Sequence, residues 1–166
     1  VINAVTKSGS NDFEFGASAY IQPSSMRETA PSVRSNEGDW MSYREDDKRS
    51  DLNLNIHASG AIIEDTLFFY AIYNPRNVES EFDRTKSDGN YTEGEQKDAF
   101  WGAKIDWNIT EDHRLEYLMF SDENEIETDV YTGNGDGNNT FTGTTFDKSG
   151  GTNWSLKYTG YITDDI

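Results

Sequence analysis

Ala99-Phe100-Trp101-Gly102-Ala103-Lys104-Ile105-Asp106-Trp107-Asn108-Ile109 alternates without a break over eleven residues. Ala99, Trp101, Ala103, Ile105, Trp107 and Ile109 fall on one side, and Phe100, Gly102, Lys104, Asp106 and Asn108 on the other. Successive strand residues point to opposite faces, so a period of two marks a β-strand with one apolar face. Strands of soluble proteins usually run about five or six residues. Ten steps of roughly 3.4 Å cover about 34 Å, which a tilt near 40° projects to about 26 Å. That matches the apolar band of an outer-membrane barrel, about 25 Å tall.

The same pattern recurs along the chain. Leu52–Ile62 sets Leu52, Leu54, Ile56, Ala58, Gly60 and Ile62 against Asn53, Asn55, His57, Ser59 and Ala61. Phe13–Ile21 and Trp154–Ile162 alternate likewise, while Leu67–Tyr73 and Arg114–Asp122 are more apolar on both faces. About six strands result, an all-β, antiparallel up-and-down meander forming part of a large transmembrane β-barrel. Its presumed lipid face carries Trp101, Trp107, Trp154 and Tyr158, as aromatic girdles do. The face opposite reads as polar but not strongly charged.

Connections support this layout. Ile62-Ile63-Glu64-Asp65, Ile109-Thr110-Glu111-Asp112 and Ile162-Thr163-Asp164-Asp165 are variants of one motif, 47 and 53 residues apart. They read as tight turns with carboxylates capping the backbone. Long polar segments lie between them at 22–50, 74–98 and 123–152, read as three external loops. Short turns at one end and long loops at the other are the plan of an outer-membrane barrel.

Composition narrows the function classes. Hydrophobic content is only 34% and the net charge is −17, yet aromatics reach 13%, which disordered chains lack. The acidity and the absence of a Lys/Arg cluster in the sequence argue against nucleic acid as a partner. With no cysteine there is neither a disulfide framework nor a thiolate metal site. No run of apolar residues is long enough for a transmembrane helix.

Val1-Ile2-Asn3-Ala4-Val5-Thr6-Lys7-Ser8-Gly9-Ser10-Asn11-Asp12-Phe13 resembles the plug-to-barrel junction of TonB-dependent outer-membrane receptors, closest to the Oar-like (OmpA-related) branch. The resemblance implies that residues 1–11 end a plug and 12–166 begin a barrel of 22 strands. It implies outer-membrane localisation, contact with the lipid bilayer, and energy relayed by TonB through a part of the parent upstream of this chain. The activity implied is import of a bulky extracellular ligand. No ligand-binding residue follows from it.

Other candidate residues have plainer readings. Thr6–Asn11 lacks the glycine framework of a phosphate loop. Asn134-Gly135-Asp136-Gly137-Asn138-Asn139-Thr140 spaces side-chain oxygens as calcium loops do, but without the bidentate Glu that ends an EF-hand loop. Calcium at 134–140 is thus the one cofactor candidate, and a solvated loop the plainer reading. Asp46-Asp47, Asp164-Asp165 and Glu123–Glu127 are read as loop charge and turn caps, since adjacent strand residues face apart and no nucleophile or base accompanies them. His57 reads as a lumen-facing residue and His113 as a turn residue, with no partner at metal-ligand spacing. Trp40, Tyr43, Tyr91 and Tyr131 are assigned to loops, where they would stack on a sugar or peptide ligand or pack the loops themselves. No catalytic or metal-binding set emerges, and the chain does not read as an enzyme.

Two further readings stand beside the receptor. A partial sheet has unpaired edges that invite self-association, and Thr66–Tyr73 is uncharged, β-prone and free of proline, so a self-assembling or fibrillar β-fragment is one. A secreted β-sandwich binding glycans through loop aromatics is the other.

Overall fold

The computed structural model describes residues 7–134 and 137–161. The fold is all-β and antiparallel. Its strands are β1 (Glu14–Gln22), β2 (Val33–Arg34), β3 (Trp40–Ser42), β4 (Lys48–Ile63), β5 (Leu67–Arg84), β6 (Asn90–Asn108), β7 (His113–Ser121), β8 (Asn124–Thr132), β9 (Thr140–Ser149) and β10 (Thr152–Gly160). Eight form one sheet along the path β1-β4-β5-β6-β7-β10, with β8 pairing the upper part of β6 and β9 pairing β8. The six strands of that path are the six of the alternating pattern. The sheet is not closed, and β1 and β10 each pair on one side only.

The segments read as external loops are largely strand. Residues 74–98 continue β5 and β6 as one hairpin of 18 and 19 residues, closed by the short turn 85–89. Within 123–152, Asn124–Thr132 and Thr140–Ser149 pair as the β8–β9 hairpin, which leans on β6 from Asn90↔Thr132 to Gln96↔Ile126. Only 23–47 remains mainly a loop, with β2 and β3 paired inside it. The alternation changes phase within β5, which hides the extension. Leu67, Phe69, Ala71 and Tyr73 share one face, but beyond Pro75 the apolar residues Val78 and Phe82 lie on the other.

Pro75 sits inside the sheet, where it has no N–H for a ladder bond. Asn53 pairs Arg76 and Ile56 pairs Tyr73, so Leu54 faces Pro75 across a gap in the β4–β5 ladder. The Asn74 side-chain amide fills the gap, donating to the Leu54 carbonyl at 2.5 Å and to Asn55 Oδ1 at 2.8 Å.

The two described short turns are tight as expected, but their carboxylates do not cap the backbone: Asp112 N–H donates to Thr110 Oγ1 at 3.3 Å, and Asp65 N–H to a residue of the entering segment. Thr66 N–H donates to the Ile63 carbonyl at 3.1 Å, with Asp65 in the left-handed region at φ 59°. Ile109 N–H donates to the His113 carbonyl at 2.9 Å. The third copy, Ile162–Asp165, lies outside the described residues. Chain entry is fixed against the first turn: Asp65 N–H donates to Asn11 Oδ1 at 2.8 Å and Asn11 Nδ2 returns a bond to Asp65 Oδ1 at 2.7 Å.

Candidate functional site

Directly paired residues share a face, so the registers assemble the two surfaces row by row. On the outer face one row runs Phe15, Ala58, Ala71, Ala103, Met119, Trp154. The row above holds Ala17, Ile56, Tyr73 and Trp101, and the rows below hold Phe69, Ile105, Tyr117 and Leu156, then Leu67, Trp107, Leu115 and Tyr158. Small residues therefore occupy the middle of β4, β5 and β6, with aromatic rows above and below. This surface is open: Phe15 is 65% exposed, Trp154 70% and Tyr158 60%. Burial of large apolar side chains is worth about 1.5–3 kcal/mol each, so such a face calls for an apolar environment.

The apolar face gives out within one residue pair. Above Pro75 and Ala99 the outer side of β5 turns to Asn77, Glu79 and Glu81 and that of β6 to Lys97, Glu95 and Glu93, while β4 keeps Leu52, opposite Asn77 and Ile21, before turning to Ser50 and Lys48. Two rows of carboxylates face each other directly there, Glu79–Glu95–Glu127 and Glu81–Glu93–Asp129.

The inner face is more charged than the sequence reading held. At its lower end Lys104 and Asp106 are buried, at 6% and 1% exposure. Asp106 Oδ1 takes Lys104 Nζ at 3.1 Å and an Arg114 guanidinium nitrogen at 2.8 Å. Glu116, directly opposite Asp106, takes Arg114 at 3.1 Å, Lys104 at 3.4 Å and Lys157 at 3.0 Å. Three cations thus hold two carboxylates that the register forces together. Lys104 also donates to Ser8 Oγ at 2.8 Å, and a Cβ at Gly9 would lie 2.4 Å and 2.7 Å from the carbonyls of Phe69 and Gly60. The entering segment 7–11 is therefore pressed onto the sheet at a residue that tolerates no side chain. Higher up, Tyr70, Ile72, Phe100, Leu118 and Phe120 line an apolar hollow of about 420 Å³ beside Lys7.

Alternation alone puts Lys104 and Asp106 on one face. Their meeting with Arg114 and Glu116 depends on the hairpin register, which the sequence does not spell out. The i, i+2 charge pairs on two successive strands were the available signal.

His57 lies mid-strand on the inner face, stacked on Tyr70 at 6.2 Å. Gly16 opposes it so closely that a Cβ there would meet the imidazole at 2.3 Å. His113 begins β7, and its Nδ1 is 2.7 Å from the Tyr158 hydroxyl. Tyr43 is 3% exposed; it donates to Asp46 at 2.6 Å, accepts from Lys86 at 2.8 Å and packs on Trp40 at 5.1 Å. Trp40 in turn carries the Arg34 guanidinium 3.5 Å above its ring, so this pair packs its own loop. Tyr91 and Tyr131 are not loop residues. They pair across β6 and β8, 5.5 Å apart on the outer face, and both donate to Glu93. Burial and then Glu93 push the Tyr91 hydroxyl well above its ordinary pKa.

Asp47 approaches Arg84 at 3.8 Å, and Glu125 pairs with Lys148 at 2.8 Å. Asp164-Asp165 lies outside the described residues, as do Gly135 and Asp136 of the 134–140 segment. Among the described residues no three His, Asp or Glu side chains are gathered as a metal site.

No family model, curated protein or solved structure matches this chain. Its function is therefore argued from the two faces of the sheet.

Proposed function

We propose that this chain is a section of an outer-membrane β-barrel, with β1, β4, β5, β6, β7 and β10 crossing the bilayer. One observation carries the reading: an exposed apolar face, six strands wide, that turns hydrophilic within one residue pair on three adjacent strands. A lipid bilayer requires such a water line, and its aromatic margins fit the interfacial girdles of known barrels. The buried ion network on the opposite face fits a lumen, where charges are paired away from lipid. Within this class, the Val1–Phe13 resemblance favours an Oar-like TonB-dependent receptor importing a bulky ligand, with segment 7–11 entering along the lumenal face from a plug upstream. The Thr66–Tyr73 stretch gives little support to a fibrillar fragment, because β5 is paired on both sides; the unpaired edges lie at β1, β9 and β10.

Quenching by lipids brominated at defined depths tests the bilayer assignment. In vesicles, Trp107 and Trp101 on single-Trp backgrounds should quench at two separated depths, and Trp40 should not quench. A chain that stays monomeric in buffer with no lipid quenching would overturn it. The receptor assignment is tested separately, by reading the coding sequence on both sides for a plug upstream and about sixteen further strands downstream.

A further inference from the structure

The upper end of the inner face has a charge balance unlike the rest of the molecule. Of the chain's 14 Lys and Arg residues, four (Arg27, Arg44, Arg49 and Arg84) surround one concavity of about 270 Å³, with Phe82 in its wall, and Lys48 borders it while its ammonium turns outward to Glu81. Only Glu28 and Asp47 line it from the acidic side. Asp51 takes both Arg27, at 3.3 Å, and Arg49, at 3.2 Å, and Lys48 reaches Glu81 at 2.8 Å. Among the residues lining the concavity four arginines face two carboxylates, in a chain where acids outnumber bases 31 to 14.

Several guanidinium donors there are not committed. Arg44 Nε donates to Ser42 Oγ at 3.2 Å, and Arg44 forms no salt bridge among the described residues. Arg84 Nε is buried without a hydrogen-bond partner, and so is Asp47 Oδ1 beside it. The Arg84–Asp47 ion pair, at 3.8 Å, runs between the other two atoms, Nη2 and Oδ2, and engages neither of these. A buried donor left unpaired costs about 1–3 kcal/mol, so the protein keeps an unmet demand for an acceptor at this point. The planar forks of several arginines suit a small oxyanion with acceptors in more than one direction.

We propose that this concavity binds a compact multivalent oxyanion, the phosphate- or carboxylate-bearing part of a ligand. That the anion arrives from outside the cell rests on the barrel reading; the anion chemistry does not. Arg27 and Arg44 come from the 23–47 segment, Arg49 from the upper end of β4 and Arg84 from the tip of the β5–β6 hairpin, so the site sits where a ligand would enter the lumen.

The test is calorimetric titration of the detergent-folded chain with inorganic pyrophosphate and, separately, citrate. Saturable binding of either is expected, and the preferred probe tells a phosphate ligand from a carboxylate one. Arg44→Gln should weaken it about tenfold, the loss of one charge-assisted bond. Arg84→Lys, which keeps the charge but loses the fork, should weaken it too and serves if Arg44→Gln fails to fold. Lys157→Gln, at the opposite end of the sheet, should leave it unchanged. No saturable binding of either anion, or an equal loss from Lys157→Gln, overturns the proposal. Either result leaves the lipid-quenching outcome untouched, so the two readings fail independently.

Discussion

Asn74 donates its side-chain amide to the Leu54 carbonyl at 2.5 Å, serving an acceptor that the neighbouring Pro75 has no N–H to reach. The substitution of side chain for backbone lets a proline sit between two paired strands. Asn74→Ala should cost about 1–3 kcal/mol, the penalty of a buried carbonyl left unpaired. In a Pro75→Val background, where a backbone N–H returns, the same change should cost little. A double-mutant cycle by guanidinium unfolding in detergent measures the coupling, and additive effects would refute the compensation.

A second cycle joins Gly16 and His57. The Cβ of Gly16→Ala would meet the imidazole at 2.3 Å, so the ring must leave its place on Tyr70. Gly16→Ala should destabilise by about 1–3 kcal/mol, as overpacking does. With His57→Ala present the loss should largely vanish.

The face assignment is tested by neighbours on one strand. Ala17 pairs Ile56 on the outer face, and Ser18 pairs Asn55 on the inner. In lipid vesicles Ala17→Arg, one row above the middle of the apolar face, should cost about 1–4 kcal/mol, whereas lumen-facing Ser18→Arg should cost far less. Equal losses in reversible unfolding would mean that neither face meets lipid.

The carboxylate rows above the apolar face give opposite expectations for two glutamates on one face. Glu127 stands directly opposite Glu95, which Lys97 already holds, and like charges directly opposite destabilise a sheet. Glu127→Gln should therefore raise stability by about 0.2–1 kcal/mol, a gain that shrinks in high salt. Glu93 instead accepts from both Tyr91 and Tyr131, so Glu93→Gln should show no gain.

Asp47 makes the packing of the 23–47 segment depend on pH. Burial raises its carboxyl above the ordinary aspartate value, partly opposed by Arg84. A raised folded-state pKa means the folded form holds the proton more tightly. Its stabilising effect is complete below the unfolded aspartate pKa and is lost as pH climbs through the raised one. Amide exchange at Asp47, corrected for its intrinsic pH dependence, should therefore speed up across that interval, and Asp47→Asn should remove the trend.

Much of the sheet was legible because an apolar belt enforces strict alternation, as in Trp101, Ala103, Ile105 and Trp107. The upper hairpin was not. Asn77, Glu79 and Glu81 occupy positions in phase with the apolar residues of the same strand, so the pattern inverts and looks like loop. What sustains strand there is cross-strand pairing, including the two-pronged Arg76–Asp98 bridge at 2.9 Å. Such pairs become visible only once the register is known. The same holds for the arginine concavity, whose members come from positions 27, 44, 49 and 84. The less cleanly phased strands were informative too, since Tyr70, Ile72, Leu118 and Phe120 on β5 and β7 line the inner apolar hollow.

The β5–β6 hairpin also sets an order of events. Its pairs run unbroken from Arg84↔Asn90 at the turn to Leu67↔Trp107. Each new pair adds to one already formed, so the loop to be closed starts at a few residues and the entropic barrier is paid early and locally. Hairpins of this kind zip in about 1–10 μs. Strands β4, β7 and β8 then find a rigid template on either side, while β1, separated from β4 by the 23–47 segment, joins at a greater entropic distance. The tallest part of the sheet is thus its kinetic seed, and the acidic rows that weaken its upper end are placed where that seed begins to grow.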